Sequence, residues 1–386
     1  MTRAIAVALM LASLPKPAAA LANGYSFRRA ITVSSSVVPS TQLNFPMLVT
    51  GTFSYLALAA NGGAIQNTVT SNSQAVPADL IFTSDPAGSS LLKWEIASYT
   101  PATGAIELWI QVPSLSNGAV VYMFYGNPAA TIYAGNVFGA WDSNFTAVYH
   151  LGQNPVGTPP QMLDSTANGV HLTTSVSGTG SLSTVAGQIG NALYLNSPNE
   201  YNGPKASSTL NSGSGTGPWT LSGWFLFHSF NFYDNGRNSF LGVATSSSYR
   251  TLAITNSNTV VGLAEGASTA VQTGATGVLT TGVWYYFNLT YDGTTVRLYQ
   301  NGAQAGTSAG PSGSQADGVV RIGEFPNFGA EYTNAYSDEV HFSKVARSAD
   351  WISTEYNNQS NPSGFYTIGA PTSMTLNVTA AAGVIM

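Results

Sequence analysis

The sequence predicts an all-β protein with two tandem β-sandwich domains. Short runs of alternating apolar and polar residues recur along the 386-residue chain, and Gly, Asn, Ser and Pro separate them. Helical periodicity is almost absent. At about 100–200 residues per domain, the length allows two or three domains.

The composition narrows the class of protein. Charged residues make up 8% of the chain, against a typical share of about 25%, so the polar surface must come from Ser, Thr, Asn, Gln and Gly. This composition is common on extracellular β-proteins. Hydrophobic residues at 44% and a net charge of only -5 argue against disorder. The densest basic pair is Arg28-Arg29, so no basic patch favours nucleic-acid binding.

Cysteine is absent. Its absence excludes disulfides, Cys-ligated zinc and thiol nucleophiles together. Secreted eukaryotic domains of this size more often carry disulfides, so a chain without cysteine favours a bacterial origin.

The N-terminus has the pattern of a signal peptide. Arg3 precedes the apolar run Ala4–Leu14, and Ala20-Leu21-Ala22 fits the small-x-small cleavage rule. We expect residues 1–22 to be removed after Ala22 and the protein to be secreted, periplasmic or at the cell surface, without a membrane span. The alternative is a short N-terminal anchor helix, for which the apolar run is too short to cross a bilayer comfortably.

Five segments show strand alternation most clearly. They are Arg29–Val33, Leu92–Ile96, Ile106–Ile110, Val120–Tyr125 and Trp284–Leu289. The clearest hairpin joins the strand Val283–Tyr291 to Thr294–Gln300 through Asp292-Gly293, because Asp-Gly supplies the positive φ values of a tight primed turn. Asn301-Gly302 then predicts the turn into the next strand.

One helix is predicted near the C-terminus. Ser348 can cap it, Asp350 suits the start of the helix dipole, and we expect its end near Asn357-Asn358. A domain boundary falls around residues 126–147. Residues 371–386 are expected to form a tail or the start of a further domain.

An ordered set of short motifs in the second half resembles a laminin-G-like domain of the concanavalin-A-like jelly-roll class. The motifs are Val148–Leu151, Asp164–Gly169, Ile189–Leu195, Trp219–Phe225, Trp284–Gly302, Ser337–Ser343 and Ala346–Ile352. The resemblance implies a jelly roll over residues 137–370, and the Trp284–Gly302 hairpin is its most specific part.

The first half resembles an uncharacterised β-domain that often precedes such laminin-G-like domains in bacterial secreted and envelope proteins. The matching motifs are Phe27–Val33, Asn44–Val49, Leu108–Pro113 and Val121–Asn127. The family usually has a more acidic patch before its Trp-Glu strand, here Trp94-Glu95. This resemblance implies a β-sandwich over residues 23–136 and no particular activity.

Catalytic residues are not predicted. A retaining glycoside hydrolase needs two carboxylates about 5–5.5 Å apart, and on one strand these must alternate. Asp338 and Glu339 are adjacent, so we expect them to point to opposite faces. The sequence has no Gly-x-Ser-x-Gly or His-x-x-x-His motif.

A structural calcium ion is the predicted cofactor. Asp164 and Asn168 lie in an oxygen-rich loop, and Asp338 is expected to share a face with Val340. In domains that this one resembles, acids at the positions of Asp164 and Asp338 often meet at calcium. The alternatives are an Asx turn at Asp164 and a partly buried carboxylate bonded to the backbone at Asp338.

The predicted ligand-binding residues are Phe232, Tyr233, Asn235 and Arg237, which combine aromatic rings with polar groups in one loop. Rings and amides together are typical of sugar sites, although such rings can also cover the edge of a sandwich or pack between domains. The leading hypothesis is a non-catalytic module that binds carbohydrate or another extracellular component. A structural or assembly protein of the bacterial envelope and a jelly-roll glycoside hydrolase are the alternatives.

Overall fold

The computed structural model describes residues 24–135, 138–199, 203–210, 217–230, 236–245, 247–266, 270–311, 317–325 and 331–373. The predicted signal peptide lies outside the described residues. In the first half the elements are β1 (Phe27–Val33), β2 (Gln42–Thr52), 3₁₀ turns at Ser54–Leu56 and Ala59–Asn61, β3 (Thr68–Ser71), β4 (Gln74–Pro77), β5 (Leu80–Thr83), β6 (Trp94–Thr100), β7 (Ala105–Leu115) and β8 (Val120–Tyr125).

The second half contains longer sheets. Its strands are β9 (Phe145–Tyr149), β10 (Thr173–Val176), β11 (Ser181–Ala186), β12 (Asn191–Asn196), β13 (Pro204–Thr209), β14 (Trp219–Phe227), β15 (Arg237–Ala244), β16 (Tyr249–Thr255), β17 (Val260–Glu265), β18 (Ala270–Gln272), β19 (Trp284–Tyr291), β20 (Thr295–Gln300), β21 (Ala303–Ala309), β22 (Val319–Ile322) and β23 (Ala335–Ser343). The chain then forms α1 (Ala349–Ser360), α2 (Pro362–Phe365), β24 (Tyr366–Ile368) and β25 (Thr372–Ser373).

The strands pair into two sandwiches, as the sequence predicts. One sheet of the first sandwich has the order β24-β1-β8-β5, with β25 also on β1, and another has the order β2-β7-β6. The second sandwich stacks β10-β13-β22-β15-β16-β17-β18 against β11-β12-β23-β14-β19-β20-β21, with β9 on β23. Antiparallel pairing joins neighbours throughout, so each strand can bury one face in a core.

The core of the second sandwich is built on aromatic rings. Phe225 of β14 lies 4.6 Å from Phe240 of β15, measured between ring centroids, and Phe240 lies 5.7 Å from Phe287 of β19. All three rings are fully buried. Such edge-to-face contacts contribute about 0.5–1.5 kcal/mol per pair beyond the burial of apolar area.

The predicted hairpin is confirmed, with a difference in its first turn. Asn301 and Gly302 both have positive φ, 51° and 78°, as a primed turn requires. At the other turn only Gly293 has positive φ, while the Asp292 carboxylate accepts a hydrogen bond from the backbone N–H of Thr295 at 2.8 Å. Asp292 therefore stabilises this turn through its side chain rather than through its backbone conformation.

The predicted helix is confirmed as α1. Ser348 Oγ accepts a hydrogen bond from the backbone N–H of Trp351 at 3.2 Å, which caps the first turn. Trp351 packs on Phe45 of β2, with 4.9 Å between ring centroids. Neither helix of the described residues has the length and apolar character that crossing a membrane requires.

The last two strands that the structure describes, β24 and β25, pair with β1 of the first sandwich. Ile368 of β24 pairs with Ile31 of β1, and Thr372 of β25 pairs with Arg28. Residues 366–373 therefore complete a sheet of the first sandwich, although the predicted boundary assigned residues up to 370 to the second domain. The limits of the two domains stay a prediction, and the first sheet contains strands from residues 27–33 and 366–373.

Helix α1 is also tied to the exposed edge of β2. The Asn358 side chain accepts a hydrogen bond from the N–H of Leu48 at 2.7 Å and donates one to its carbonyl at 3.1 Å. Strand β2 pairs only with β7 within its sheet, so this amide occupies the place of a neighbouring strand. The next residue towards the N-terminus, Asn357, makes a single half-buried bond to the carbonyl of Val37.

We predict that Asn358→Ala lowers the free energy of unfolding by about 2–4 kcal/mol, because it leaves a buried N–H and a buried carbonyl of Leu48 without partners. Asn357→Ala is the matched control and is expected to cost about 1 kcal/mol or less. Urea denaturation followed by tryptophan fluorescence measures both. Equal losses in the two variants would contradict the role assigned to Asn358.

Candidate functional site: the cleft between the sandwiches

Two acidic residues of the first sandwich face the second. Glu95 lies on β6 and Glu107 on β7, and both side chains are buried. Glu95 pairs with Trp109, and Glu107 pairs with Ser98 after a shift of register between Ile96 and Ser98. Cross-strand partners share a face of a sheet, so Glu95 and Trp109 both point towards the second sandwich.

A β-bulge in β23 supplies the facing groups. Ser222 of β14 pairs with His341, whereas Trp224, two residues later, pairs with Asp338, three residues earlier on β23. A step of three residues on β23 therefore lies opposite a step of two on β14, so β23 has one extra residue here. Glu339 lies within this bulge and has a φ of 46°, in the left-handed region. A bulge of this kind bends a strand and redirects its side chains.

The bulge overturns one expectation from the sequence. Asp338 is opposite Trp224, whose indole N–H donates to Gln359 of α1 on the outer side of the sheet. Val340, by contrast, belongs to the inner core. The expectations that Asp338 shares a face with Val340 and that Asp338 and Glu339 point to opposite faces are therefore wrong, because the extra residue breaks the alternation of the strand.

His150, directly after β9, connects the two sandwiches. Its Nδ1 lies 2.8 Å from Oε1 of Glu339, and its Nε2 lies 2.7 Å from Oε1 of Glu95. The indole N–H of Trp141 donates to the same Glu95 oxygen at 2.9 Å. His341 extends the network, with Nε2 at 3.1 Å from Glu339 and Nδ1 at 3.2 Å from Glu355 of α1.

Burial and charge separate the pKa values of these groups. Burial, with repulsion from Glu339, raises the pKa of Glu107 to about 7 and raises that of Asp338 well above its usual range. Burial opposes ionisation of His150, but the negative charge of Glu339 and hydrogen bonds to Glu339 and Glu95 outweigh it and raise the His150 pKa. Burial likewise opposes ionisation of Glu339, and His150 and His341 together lower its pKa. Both shifts favour the charged forms, a protonated His150 and an ionised Glu339.

A glycine turn covers the carboxylates. Gly190 has a φ of 53°, and a Cβ atom there would collide with Oε2 of Glu107. A Cβ atom at Gly187 would press on Oδ2 of Asp338, which accepts a hydrogen bond from the N–H of Ile189 at 2.9 Å. The turn at 187–190 thus touches Glu107 and Asp338 together, which places these two carboxylates side by side.

An open cleft of about 530 Å³ leads to this cluster. Glu107 and His150 lie on its wall, and most of the other lining side chains carry an amide or a hydroxyl group. These polar residues are Asn72, Ser73, Gln74, Ser98, Gln153, Asn154, Ser165 and Asn191. Within the described residues, the buried Oε1 atom of Gln153 has no hydrogen-bond donor.

A second groove, of about 420 Å³, lies on the first sandwich. Phe53 and Tyr55 line it, and the guanidinium of Arg29 lies 3.8 Å from the centre of the Tyr55 ring. Tyr366 closes the groove through hydrogen bonds of its hydroxyl with the backbone of Thr50. Arg29 and Tyr55 pack against each other, so one face of this ring is already covered.

The predicted calcium residues have other contacts. The two carboxylate oxygens of Asp164 accept hydrogen bonds from the N–H of Val148, from the N–H and hydroxyl of Thr166 and from the N–H of Val170. The side-chain amide of Asn168 donates hydrogen bonds to the backbone carbonyls of Phe145 and Thr146, at 3.2 and 3.1 Å. These are the contacts of an Asx turn, and calcium binding by these residues stays a prediction.

The predicted ligand loop is described only in part. Phe232, Tyr233 and Asn235 lie outside the described residues. Arg237 is half-buried at the start of β15, and its Nη1 donates to the side-chain oxygen of Gln272 at 3.1 Å. A ligand-binding role for this loop stays a prediction.

Sequence reasoning did not select Glu95, Glu107, His150 or Glu339 as site residues. One available signal was the presence of Glu95 and Glu107 inside otherwise apolar strands of a chain with only 8% charged residues. Buried acids need partners, so their positions indicate a polar site within the fold. The partners come from residues 150 and 339, and only the tertiary structure identifies them.

We predict that Gly190→Ala destabilises the protein by about 3 kcal/mol or more, because the new methyl group adds a collision with Glu107 to the strain of a left-handed backbone. Gly282→Ala is the control: Gly282 also has positive φ, and a Cβ atom there meets nothing within 4 Å. Its expected cost is about 1–2 kcal/mol. Chemical denaturation of the two variants tests the difference, and equal costs would show that the turn does not press on the cluster.

Comparison with known proteins gives a family for part of the chain. Residues 198–353 match a laminin-G family model described as "Concanavalin A-like lectin/glucanases superfamily". A search of curated protein sequences finds no significant match.

Solved structures to which this chain shows similarity include domain 4 of AbnA, a GH43 extracellular arabinanase from Geobacillus stearothermophilus, in complex with arabinotriose. It is 17% identical, and the match covers 55% of this chain and 98% of that domain with a TM-score of 0.43. The binding domains of Paraclostridial Mosquitocidal Protein 1 and of botulinum neurotoxin serotype D match at 14% and 15% identity, over 55% and 56% of this chain, with TM-scores of 0.43 and 0.42. The match spans about half of each toxin domain, 52% in both. The family match therefore shows that residues 198–353 are similar to laminin-G-like domains of the concanavalin-A-like superfamily.

Proposed function

We propose that this protein is an exported, non-catalytic binding module that recognises carbohydrate in the cleft between its two sandwiches. The observation that carries the proposal is the lining of the cleft by amide and hydroxyl side chains. Sugar hydroxyl groups both donate and accept hydrogen bonds, as amides and hydroxyls do. The pattern of residues 1–22 supports export.

Gln153 illustrates this chemistry. Its side chain lies on the wall of the cleft, and its amide N–H groups can donate hydrogen bonds to a sugar hydroxyl. The volume of about 530 Å³ suits a small ligand or a short oligosaccharide segment. The superfamily that residues 198–353 match is named for lectins and glucanases, which agrees with carbohydrate as the class of ligand.

The aromatic groove on the first sandwich is the other possible ligand site, so it can be compared with the cleft in the same protein. Asn191 and Thr367 are both exposed strand residues, one on the wall of the cleft and the other on the wall of the groove. A large side chain at either position should fill one pocket and leave the other open.

We predict that a glycan array identifies an oligosaccharide ligand and that Asn191→Trp weakens its binding at least 10-fold in calorimetry. Thr367→Trp is the matched control and should leave the affinity within 2-fold. The opposite pattern would move the site to the aromatic groove. Binding of no glycan would overturn the proposal and favour the alternative of a structural protein of the envelope.

A glycoside hydrolase is the second candidate, since Glu95 and Glu107 both border the cleft and Glu107 has a raised pKa, as a proton donor requires. We propose that it is not the function. Oε1 of Glu95 is held by both His150 and Trp141, which restrains the group that would have to act as nucleophile or base.

We therefore predict that the bound oligosaccharide keeps its length during prolonged incubation with micromolar protein, as measured by mass spectrometry. The Glu107→Gln variant is incubated in parallel. Release of shorter sugars by the unmodified protein, abolished in Glu107→Gln, would establish hydrolysis and contradict the non-catalytic proposal.

A further inference from the structure

Three side chains of the buried cluster are arranged as metal ligands are. Glu107, His150 and Glu339 each offer one ligand atom, and these three atoms lie within 4.8 Å of one another. All three side chains are buried. They come from β7, from the end of β9 and from the bulge in β23, so the two sandwiches meet at this point.

Neighbouring groups form hydrogen bonds with these side chains and fix their orientation, as groups around metal ligands commonly do. A metal-bound histidine usually donates its other ring N–H to a carboxylate. Nε2 of His150 lies 2.7 Å from Glu95, which leaves Nδ1 directed at Glu339. Glu339 is itself restrained by Nε2 of His341 at 3.1 Å. Each ring and carboxylate is thus held in place from outside the trio.

Asp338 provides an independent sign that the cluster lacks a partner. Its carboxylate is fully buried, and within the described residues its Oδ1 atom has no hydrogen-bond donor. Its Oδ2 atom contacts the 187–190 turn, which also covers Glu107. A buried carboxylate oxygen without a partner is costly, and the positive charge of a cation held by Glu107, His150 and Glu339 would offset that cost.

The balance of charge points the same way. Five buried carboxylates (Glu95, Glu107, Asp338, Glu339 and Glu355) lie in this region with only two imidazoles, those of His150 and His341. A divalent ion adds the positive charge that the protein side chains lack at this place.

We propose that Glu107, His150 and Glu339 bind one divalent transition-metal ion. One imidazole nitrogen with carboxylate oxygens favours Zn²⁺ or Mn²⁺ over Ca²⁺, which prefers ligand sets of oxygen alone. A tetrahedral ion with bonds of about 2.0–2.2 Å holds its ligand atoms about 3.3–3.6 Å apart. Nδ1 of His150 and Oε1 of Glu339, which are 2.8 Å apart, would separate by about 0.5–0.8 Å, and Glu107 would approach by about 1.5 Å at most.

The ion has a route to this position. Glu107 and His150 lie on the wall of the open cleft, so a hydrated ion can reach them without separation of the two sandwiches. The same wall binds the ligand in the proposed carbohydrate site, but the metal proposal does not depend on that function, because its ligand set is defined without any sugar.

The test begins with the purified protein after treatment with a chelator. Isothermal titration calorimetry with Zn²⁺, with Mn²⁺ and with Ca²⁺ should show one equivalent of Zn²⁺ or Mn²⁺ bound with sub-micromolar affinity and a raised melting temperature. X-ray absorption of the loaded protein should show nitrogen and oxygen ligands. Binding of neither Zn²⁺ nor Mn²⁺ would overturn the proposal, and so would binding of Ca²⁺ alone.

Two variants are expected to weaken metal binding to different degrees. Glu107→Gln should weaken Zn²⁺ binding more than about 100-fold, and Glu95→Gln, which loosens only the orientation of His150, should weaken it about 10- to 100-fold. Glu331→Gln is the matched control: its carboxylate accepts from the N–H of Ser239 on the other sheet, and its loss should leave the affinity unchanged. Full-strength binding by Glu107→Gln would contradict the ligand set.

The histidines give a readout that does not depend on any variant folding. The chain has four histidines, at positions 150, 171, 228 and 341, and NMR of histidine-labelled protein follows each ring. One equivalent of Zn²⁺ should shift the ring nitrogens of His150 most and those of His341 less. Shifts confined to His171 or His228 would assign the metal elsewhere and overturn the proposal. Metal binding without glycan binding would leave this inference intact and remove only the proposed carbohydrate function.

Discussion

The bridge that His150 makes between Glu95 and Glu339 is the interaction on which the arrangement of the two sandwiches depends. One imidazole makes a short contact with a carboxylate from each side, at 2.7 and 2.8 Å, and all three side chains are buried. Buried charges are tolerated only when they are paired and hydrogen-bonded. The indole N–H of Trp141 and the ring of His341 supply the remaining bonds, so the network holds the sandwiches in one relative position.

Two local departures from regular structure make that bridge possible. The bulge in β23 turns Glu339 and Asp338 to the same side of the sheet, and the glycine turn at 187–190 leaves room for the carboxylates beneath it. Regular alternation would send one of the two acids into the aromatic core of the jelly roll, where no partner for it is described. Backbone irregularities of this kind are common beside functional sites, and here they border an open polar cleft.

The C-terminal segment adds a second tie that is independent of charge. Helix α1 packs Trp351 on Phe45, the Asn358 amide completes the edge of β2, and β24 extends the first sheet. These contacts join residues about 310 positions apart in sequence, so residues that follow the second sandwich along the chain pack on the first. The two sandwiches that form the cleft are therefore joined both by the His150 network and by the C-terminal segment, which suits a preformed binding site.

Much of the architecture follows from the sequence alone. Alternation, turn residues and the cap at Ser348 predict the all-β class, the hairpin from Trp284 and helix α1, because these are properties of neighbouring residues. The order of motifs predicts the jelly roll. What the sequence could not decide is which side chains meet: a one-residue bulge reversed the expected face of Asp338, and the partners of Glu95 lie 55 and 244 positions away, at His150 and, through it, Glu339. Contacts over such separations depend on the packing of whole sheets, and only the tertiary structure determines that packing.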